Sequence, residues 1–249
     1  MVLRDAMRLP LLTAGWSNLC MVTYRLASDI VASRLPPGLE PDTLNGQSFA
    51  SLVGLTFADT SLLGIGCPGF RLFPELNLRV YVRHGQARGV LFIRELVPSP
   101  VVAWLARTLY NEPYEASPLT VHVQDSESTL AVQYVLERAG TIHKISVVGG
   151  KPPTVPADDS LEHFLKEHRW GFGTDRRGRL LRYEVEHPTW AIYPINSFEL
   201  LFDWGKVYGP RWAFLSDAKP ISIILAAGSR ITVYSPSSCG SSVEVAALT

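Results

Sequence analysis

Lysine is scarce in this chain. Only 5 of its 23 basic residues are lysines, against 18 arginines. Arginine stays protonated, binds carboxylates well and attacks carbonyls poorly, so amine catalysis has few residues to draw on. Cysteine is scarcer: Cys20, Cys67 and Cys239 are odd in number, widely spaced and without a CxxC pair. That argues against a disulfide framework or a zinc site and for free thiols in a reducing compartment. Net charge is absent, with 23 basic against 23 acidic residues, and no basic stripe follows the pattern of a nucleic-acid binder. The cluster Arg176, Arg177, Arg179 and Arg182 is broken by Gly178 and reads as a solvated turn. Long apolar runs are missing too. Ile221–Ala227 is far short of a bilayer span, and Leu9–Ala14, interrupted by Pro10, is too short for the core of a signal peptide. The expectation is a cytoplasmic protein with no nucleic-acid and no membrane partner.

What the chain does have is apolar and aromatic mass. Its 249 residues are 47% apolar and 10% aromatic, enough for one sizeable core. Strand-like alternation or β-branched enrichment marks Met21–Tyr24, Phe49–Phe57, Leu76–Val82, Gly89–Glu95, Leu119–Gln124, Leu130–Leu136, Ile142–Val148, Leu180–Val185 and Ile221–Leu225. Helical signals are few. Ala27–Leu35 stops at Pro36-Pro37, and Ser99 caps a helix from Pro100 to about Leu109. Asp159 and Glu162 form a capping-box-like pair ahead of Leu161, Phe164, Leu165 and His168 at helical spacing. The Pro/Gly-rich stretch Gly149–Asp159 reads as a loop inside one domain covering 1–249, and the Ser-rich tail from Ser235 as mobile.

Catalytic motifs are thin. Gly64-Ile65-Gly66-Cys67-Pro68-Gly69 fits GxGxxG, but Pro68 removes a donor and no helix follows, so it reads as a turn. No GxSxG, P-loop or HExxH is present, and the six histidines are scattered, which gives no metal site; His84 and His122 are expected at solvent-facing strand ends. One strand face is more suggestive: Asn77, Arg79 and Tyr81 alternate onto one side of Leu76–Val82.

Several phrases occur in a telling order. They are Trp16-Ser17-Asn18, Tyr24-Arg25, Leu35-Pro36-Pro37-Gly38-Leu39-Glu40, Glu75 before a strand, Arg94-Glu95-Leu96, Val185-Glu186-His187-Pro188-Thr189-Trp190 and Leu201-Phe202-Asp203. Together they resemble the acetoacetate decarboxylase-like superfamily. Glu75–Val82, Arg88–Phe92, Leu161–Trp170 and His187-x-x-Trp190 narrow the resemblance to its bacterial YqjF-like branch, over roughly residues 14–235. The resemblance implies a mainly β (α+β) fold: a cone-shaped, mostly antiparallel β-barrel with a few helices outside and one buried pocket. It implies no cofactor.

The superfamily's enzymes form a Schiff base on a pocket lysine, at a place where a proline is followed by two lysines. Here the matching place reads Pro100-Val101-Val102, and Lys144, Lys151, Lys166, Lys206 and Lys219 lie elsewhere. The expectation is a hollow whose amine nucleophile is gone. Glu75 and Glu95 are then the acid–base candidates, and Asn77, Arg79, Tyr81, Arg94, His187 and Trp190 the ligand-binding ones. His187 and Trp190, next to Pro188, suit packing better than chemistry. Three readings stay open: a barrel binding a small organic acid or carbonyl compound; a lysine-independent lyase, isomerase or cyclase using a Glu/Arg pair; and a structural or partner-binding domain whose Glu75 or Glu95 merely pairs with Arg79 or Arg94. Self-association into a homo-oligomer also stays open.

Overall fold

Runs such as Ser48-Phe49-Ala50-Ser51-Leu52-Val53-Gly54-Leu55 bury both alternating sets of side chains, which requires a sheet covered on its two faces. The computed structural model, which describes residues 10–66 and 71–239, shows how. Seven strands close into a barrel: β1 (Pro10–Leu26), β2 (Ser48–Leu62), β3 (Leu72–His84), β4 (Ala87–Val97), β5 (Trp170–Thr174), β6 (Leu180–Glu186) and β7 (Ser229–Tyr234). The pairing runs β1-β2-β3-β4-β5-β6-β7 and returns to β1. Closure leaves no free edge among the seven. One seam is parallel: β4 meets β5 with Gly89 opposite Trp170. A Cβ on Gly89 would lie 2.2 Å from the Trp170 carbonyl oxygen, so the close approach needs a glycine.

Inward residues of β2 and β3, including Val53, Leu55, Phe57 and Phe73, form the core inside the barrel. Outward ones, including Leu52, Leu76, Leu78 and Val80, pack with Val132, Tyr134, Ile145 and Val147 of a second sheet. That sheet has four strands, Ile195–Leu201, Thr141–Gly150, Thr129–Arg138 and Leu119–Asp125, in that order. Each such side chain contributes roughly 1.5–3 kcal/mol on burial, which is why the wall of the barrel is apolar on both sides.

Helices are short and peripheral: α1 (Ser28–Ala32), α2 (Pro100–Tyr110), α3 (Leu161–Lys166) and α4 (Trp204–Tyr208). Ser99 caps α2 by accepting from the Val102 N–H. The cap of α3 differs from the expected Asp159/Glu162 pair: Ser160 accepts from His163 N–H, and the helix ends at Lys166, leaving His168 beyond it. The tail is also more ordered than its serines suggested, since Ser237–Ser238 pairs with Leu181–Arg182. Of the GxGxxG segment, Ile65–Gly66 pairs with Ser61–Leu62, while Cys67, Pro68 and Gly69 lie outside the described residues, as do positions 240–249 of the tail. No described helix is long and apolar enough to cross a membrane.

Candidate functional site

The barrel is hollow at one level. A cavity of about 100 Å³ is walled by aromatic and aliphatic side chains, among them Trp16, Leu55, Phe57, Val90 and Trp190. β3 carries its polar spine. Glu75, Asn77 and Arg79 alternate inward, and four residues of extended chain place the carboxyl end and the guanidinium end about 13 Å apart at their backbones. Register fixes the neighbours: Leu55 sits opposite Glu75 and Val53 opposite Asn77 on β2, and Glu95 sits opposite Asn77 on β4.

One end is a buried acidic cluster. The Tyr114 hydroxyl donates to Glu75 Oε2 at 2.8 Å, and Asn77 Nδ2 donates to Glu75 Oε1 at 2.9 Å. Glu95 joins this hydrogen-bonded group, and Glu112 lies beside it, bonded to Tyr183. Burial pushes the Glu75 carboxyl up; it pushes Glu95 well up, with the charges of Glu75 and Glu112 adding to the effect. Burial raises Glu112 to about 8. Three carboxyls so close cannot all ionise, so the cluster holds at least one proton at neutral pH. Tyr183 reaches Glu112 because Gly171 lies beneath its ring: a Cβ there would stand 2.2 Å from Tyr183 Cζ.

The other end is cationic. Arg79 Nη2 donates to the Leu165 carbonyl at 3.0 Å, and its guanidinium carbon lies 5.5 Å from the Tyr81 ring centroid. Lys166, whose side chain is 0% exposed, donates from Nζ to Trp190 O at 2.9 Å and to Glu167 Oε1 at 3.0 Å. His187 stacks on Trp190 with ring centroids 4.0 Å apart, and Trp190 Nε1 donates to Ser229 Oγ at 2.8 Å. Burial lowers the His187 pKa, and the nearby Arg79 and Lys166 cations press the same way.

The structure brings Glu75, Glu95, Asn77, Arg79, His187 and Trp190 to one cavity. It does not bring Arg94 there. Consecutive strand residues point to opposite faces, and Glu95 takes the inside; Arg94 turns outward, pairs with Glu115 at 2.8 Å and donates to the Val207 carbonyl. Tyr81 faces the barrel interior but lies past the cavity, its hydroxyl bonded at 2.7 Å to Ser51, which in turn bonds Thr23. The buried pair between Glu75 or Glu95 and Arg79 or Arg94, left open as an alternative, is not among the ion pairs of the described residues. The amine-free hollow needs correcting as well. Val101 is 51% exposed on α2 and Val102 borders a separate apolar cavity, so neither occupies the place of a pocket nucleophile, whereas Lys166 lines the main cavity from the end of α3. Glu112, Tyr114, His168 and Tyr183 also line it, though nothing in the sequence marked them as cavity residues. Among the described residues no group of three or more His, Cys, Asp or Glu is placed to hold a metal ion.

Unsatisfied polar atoms concentrate here. Ten buried side-chain N or O atoms of the described residues lack a hydrogen-bond partner. Six of them belong to this cavity: Trp16 Nε1, Asn77 Oδ1, Arg79 Nε, Glu95 Oε1, Glu112 Oε1 and His168 Nδ1. Such atoms are rare in folded proteins because each carries a desolvation penalty of about 1–3 kcal/mol. All six belong to residues that line this one hollow.

Residues 13–230 match the family DUF2071, an uncharacterised conserved protein, and the chain belongs to that family. It is 28% identical over 182 residues to the uncharacterised protein YqjF of Bacillus subtilis (strain 168), covering 71% of this chain and 73% of that one. Among solved structures it is similar to an acetoacetate decarboxylase-like enzyme from Sphingomonas wittichii RW1, at 12% identity and a TM-score of 0.63, covering 92% and 94% of the two chains. It is similar also to the enduracididine biosynthesis enzyme MppR with HEPES buffer bound, at 17% identity and 0.64, covering 92% and 87%. At these identities the likeness shows the fold: an acetoacetate decarboxylase-like barrel.

Proposed function

We propose that this member of the DUF2071 family is a binding barrel for a small, partly apolar organic acid bearing a carbonyl or hydroxyl group. The observation that carries the reading is that six orphan polar atoms belong to residues lining one cavity. They fall into two chemistries. Arg79 Nε, with Lys166 beside it, offers donors to a carboxylate. The acidic cluster offers a carboxylic O–H to a carbonyl or hydroxyl oxygen at the far end. Between them the wall is apolar and aromatic, as small-molecule sites usually are.

Lys166 does not restore Schiff-base chemistry to this reading. Its Nζ donates to Trp190 O and Glu167 Oε1, and this reading uses it as a hydrogen-bond donor to an anion. One observation supports a second reading, a lysine-independent lyase or isomerase: the cluster of Glu75, Glu95 and Glu112 holds a proton beside the cavity, as a general acid must.

A thermal-shift screen tests the proposal. The panel is short carboxylates, 2-oxo acids and hydroxy acids, each beside its neutral amide. At about a hundredfold excess over Kd an acid should stabilise by roughly 2.7 kcal/mol, a shift of roughly 5–10 °C. Equal shifts from acids and amides, or none from either, would sink it.

A further inference from the structure

We propose that His168, positioned by Asp42, is a general base in this cavity: its Nδ1 takes a proton from the carbon beside the carbonyl of a bound acid while the acidic cluster protonates the carbonyl oxygen. This rests on the ligand reading above. His168 Nε2 lies 2.9 Å from Asp42 Oδ2, and Arg88 Nε lies 2.8 Å from the same oxygen. Both His168 and Asp42 are buried, at 8% and 5% exposure. The sequence delivers Asp42 by local pairing: Glu40–Pro41 pairs with the end of β3, and the Asp42 N–H donates to Tyr81 O at 3.0 Å. The imidazole packs against Tyr81 and Phe164, with centroids 4.9 and 5.1 Å away. One nitrogen is thus bound and the ring is packed, yet the residue lines the cavity and its buried Nδ1 has no partner.

Electrostatics settles which nitrogen carries the proton. Burial drives the Asp42 pKa up, but the bonds from His168 and Arg88 more than offset it and hold the group below its usual range, as a carboxylate. A carboxylate only accepts, so Nε2 must donate. Burial lowers the His168 pKa despite Asp42, and the cations Arg79 and Arg88 lower it further. The ring is therefore neutral near pH 7, with its lone pair on Nδ1. Arg79 and His168 line the same cavity, and a carboxylate held by Arg79 would bring its neighbouring carbons toward the imidazole.

The step balances. The C–H bond breaks and its electron pair becomes the C=C bond of an enol. The carbonyl π pair takes a proton from the acidic cluster, and the imidazole becomes an imidazolium facing Asp42. Reversal after the imidazolium exchanges with solvent replaces hydrogen by deuterium in D2O.

The test follows 4-oxopentanoate, whose carbonyl lies three bonds from its carboxyl carbon, in D2O by proton NMR with the full chain, reading loss of the C3 methylene signal. The wild type should exchange well above buffer. His168→Gln keeps a donor for Asp42 but removes the base, and the rate should fall by roughly a hundredfold or more. The rate should be level near pH 7 and drop on the acid side, below the ordinary histidine range. The groups facing the ring are Asp42, Arg79, Tyr81 and Arg88, with Lys166 on the same cavity. Asp42→Asn, which removes the carboxylate that the ring shares with Arg88, should displace that acid limb. The 15N spectrum of His168 should show Nδ1 unprotonated at pH 7. A protonated Nδ1, equal exchange by His168→Gln, or no exchange by the wild type overturns the proposal. Thermal shift on the same sample separates the cases: if 4-oxopentanoate still stabilises, the binding reading survives the loss.

Discussion

At the scale of single residues, the cavity trades stability for chemistry. Glu112 has a pKa near 8 in the fold through burial, against about 4.3 for a free glutamate. The sign follows from linkage. Between those values the folded state keeps a proton that the unfolded chain has lost, so stability falls as pH rises across that window and stays low above it. Melts from pH 4 to 9 should show the decline, and Glu112→Gln should flatten its upper part and raise Tm at pH 8. An unchanged slope in the variant would remove Glu112 as its source. Lys166 gives a second residue-scale outcome. Its amine is engaged by Glu167 and Trp190, so borohydride with a 2-oxo or 3-oxo acid should leave the protein mass unchanged. A reduced adduct mapped to Lys166 would replace the binding reading with imine catalysis.

At the scale of elements, strand alternation decides what enters the hollow. It made Asn77 and Arg79 legible from sequence, because i and i+2 share a face. The same rule separates Arg94 from Glu95, since adjacent residues cannot both point in, and the phrase resemblance to Arg-Glu-Leu obscured that. Tyr81 obeys the alternation but lies too far along β3, a matter of depth that periodicity does not encode. Lys166 and His168 were hidden for another reason. They sit at and just past the end of α3, and only the packing of that helix against β3, through Arg79 and Leu165, turns them toward the cavity. Glu112 and Tyr114 come from the Asn111–Ala116 segment after α2, where nothing local foretells burial. The β5–β6 pair supplies a test of its own. Gly171→Ala should force the Tyr183 ring off its place and destabilise by about 1–3 kcal/mol in chemical denaturation. Adding Tyr183→Val should recover much of the loss; no recovery would mean that the strain lies elsewhere.

At the scale of the whole molecule, a closed barrel covered by a second sheet can keep a small chamber without leaving strand edges open. The fold was readable because nine strand signals and an ordered set of phrases agreed. The chamber's chemistry was not, because it is assembled from β3, β4, β5, β6, α3 and a loop that meet only in space. The central claim is that this chamber takes a small organic acid through Arg79. The most direct measurement is calorimetric titration of the wild type and Arg79→Gln with the acid that most raises Tm. Loss of one charged hydrogen-bonding partner should weaken binding roughly ten- to a hundredfold. Equal affinities for the two proteins would contradict the claim.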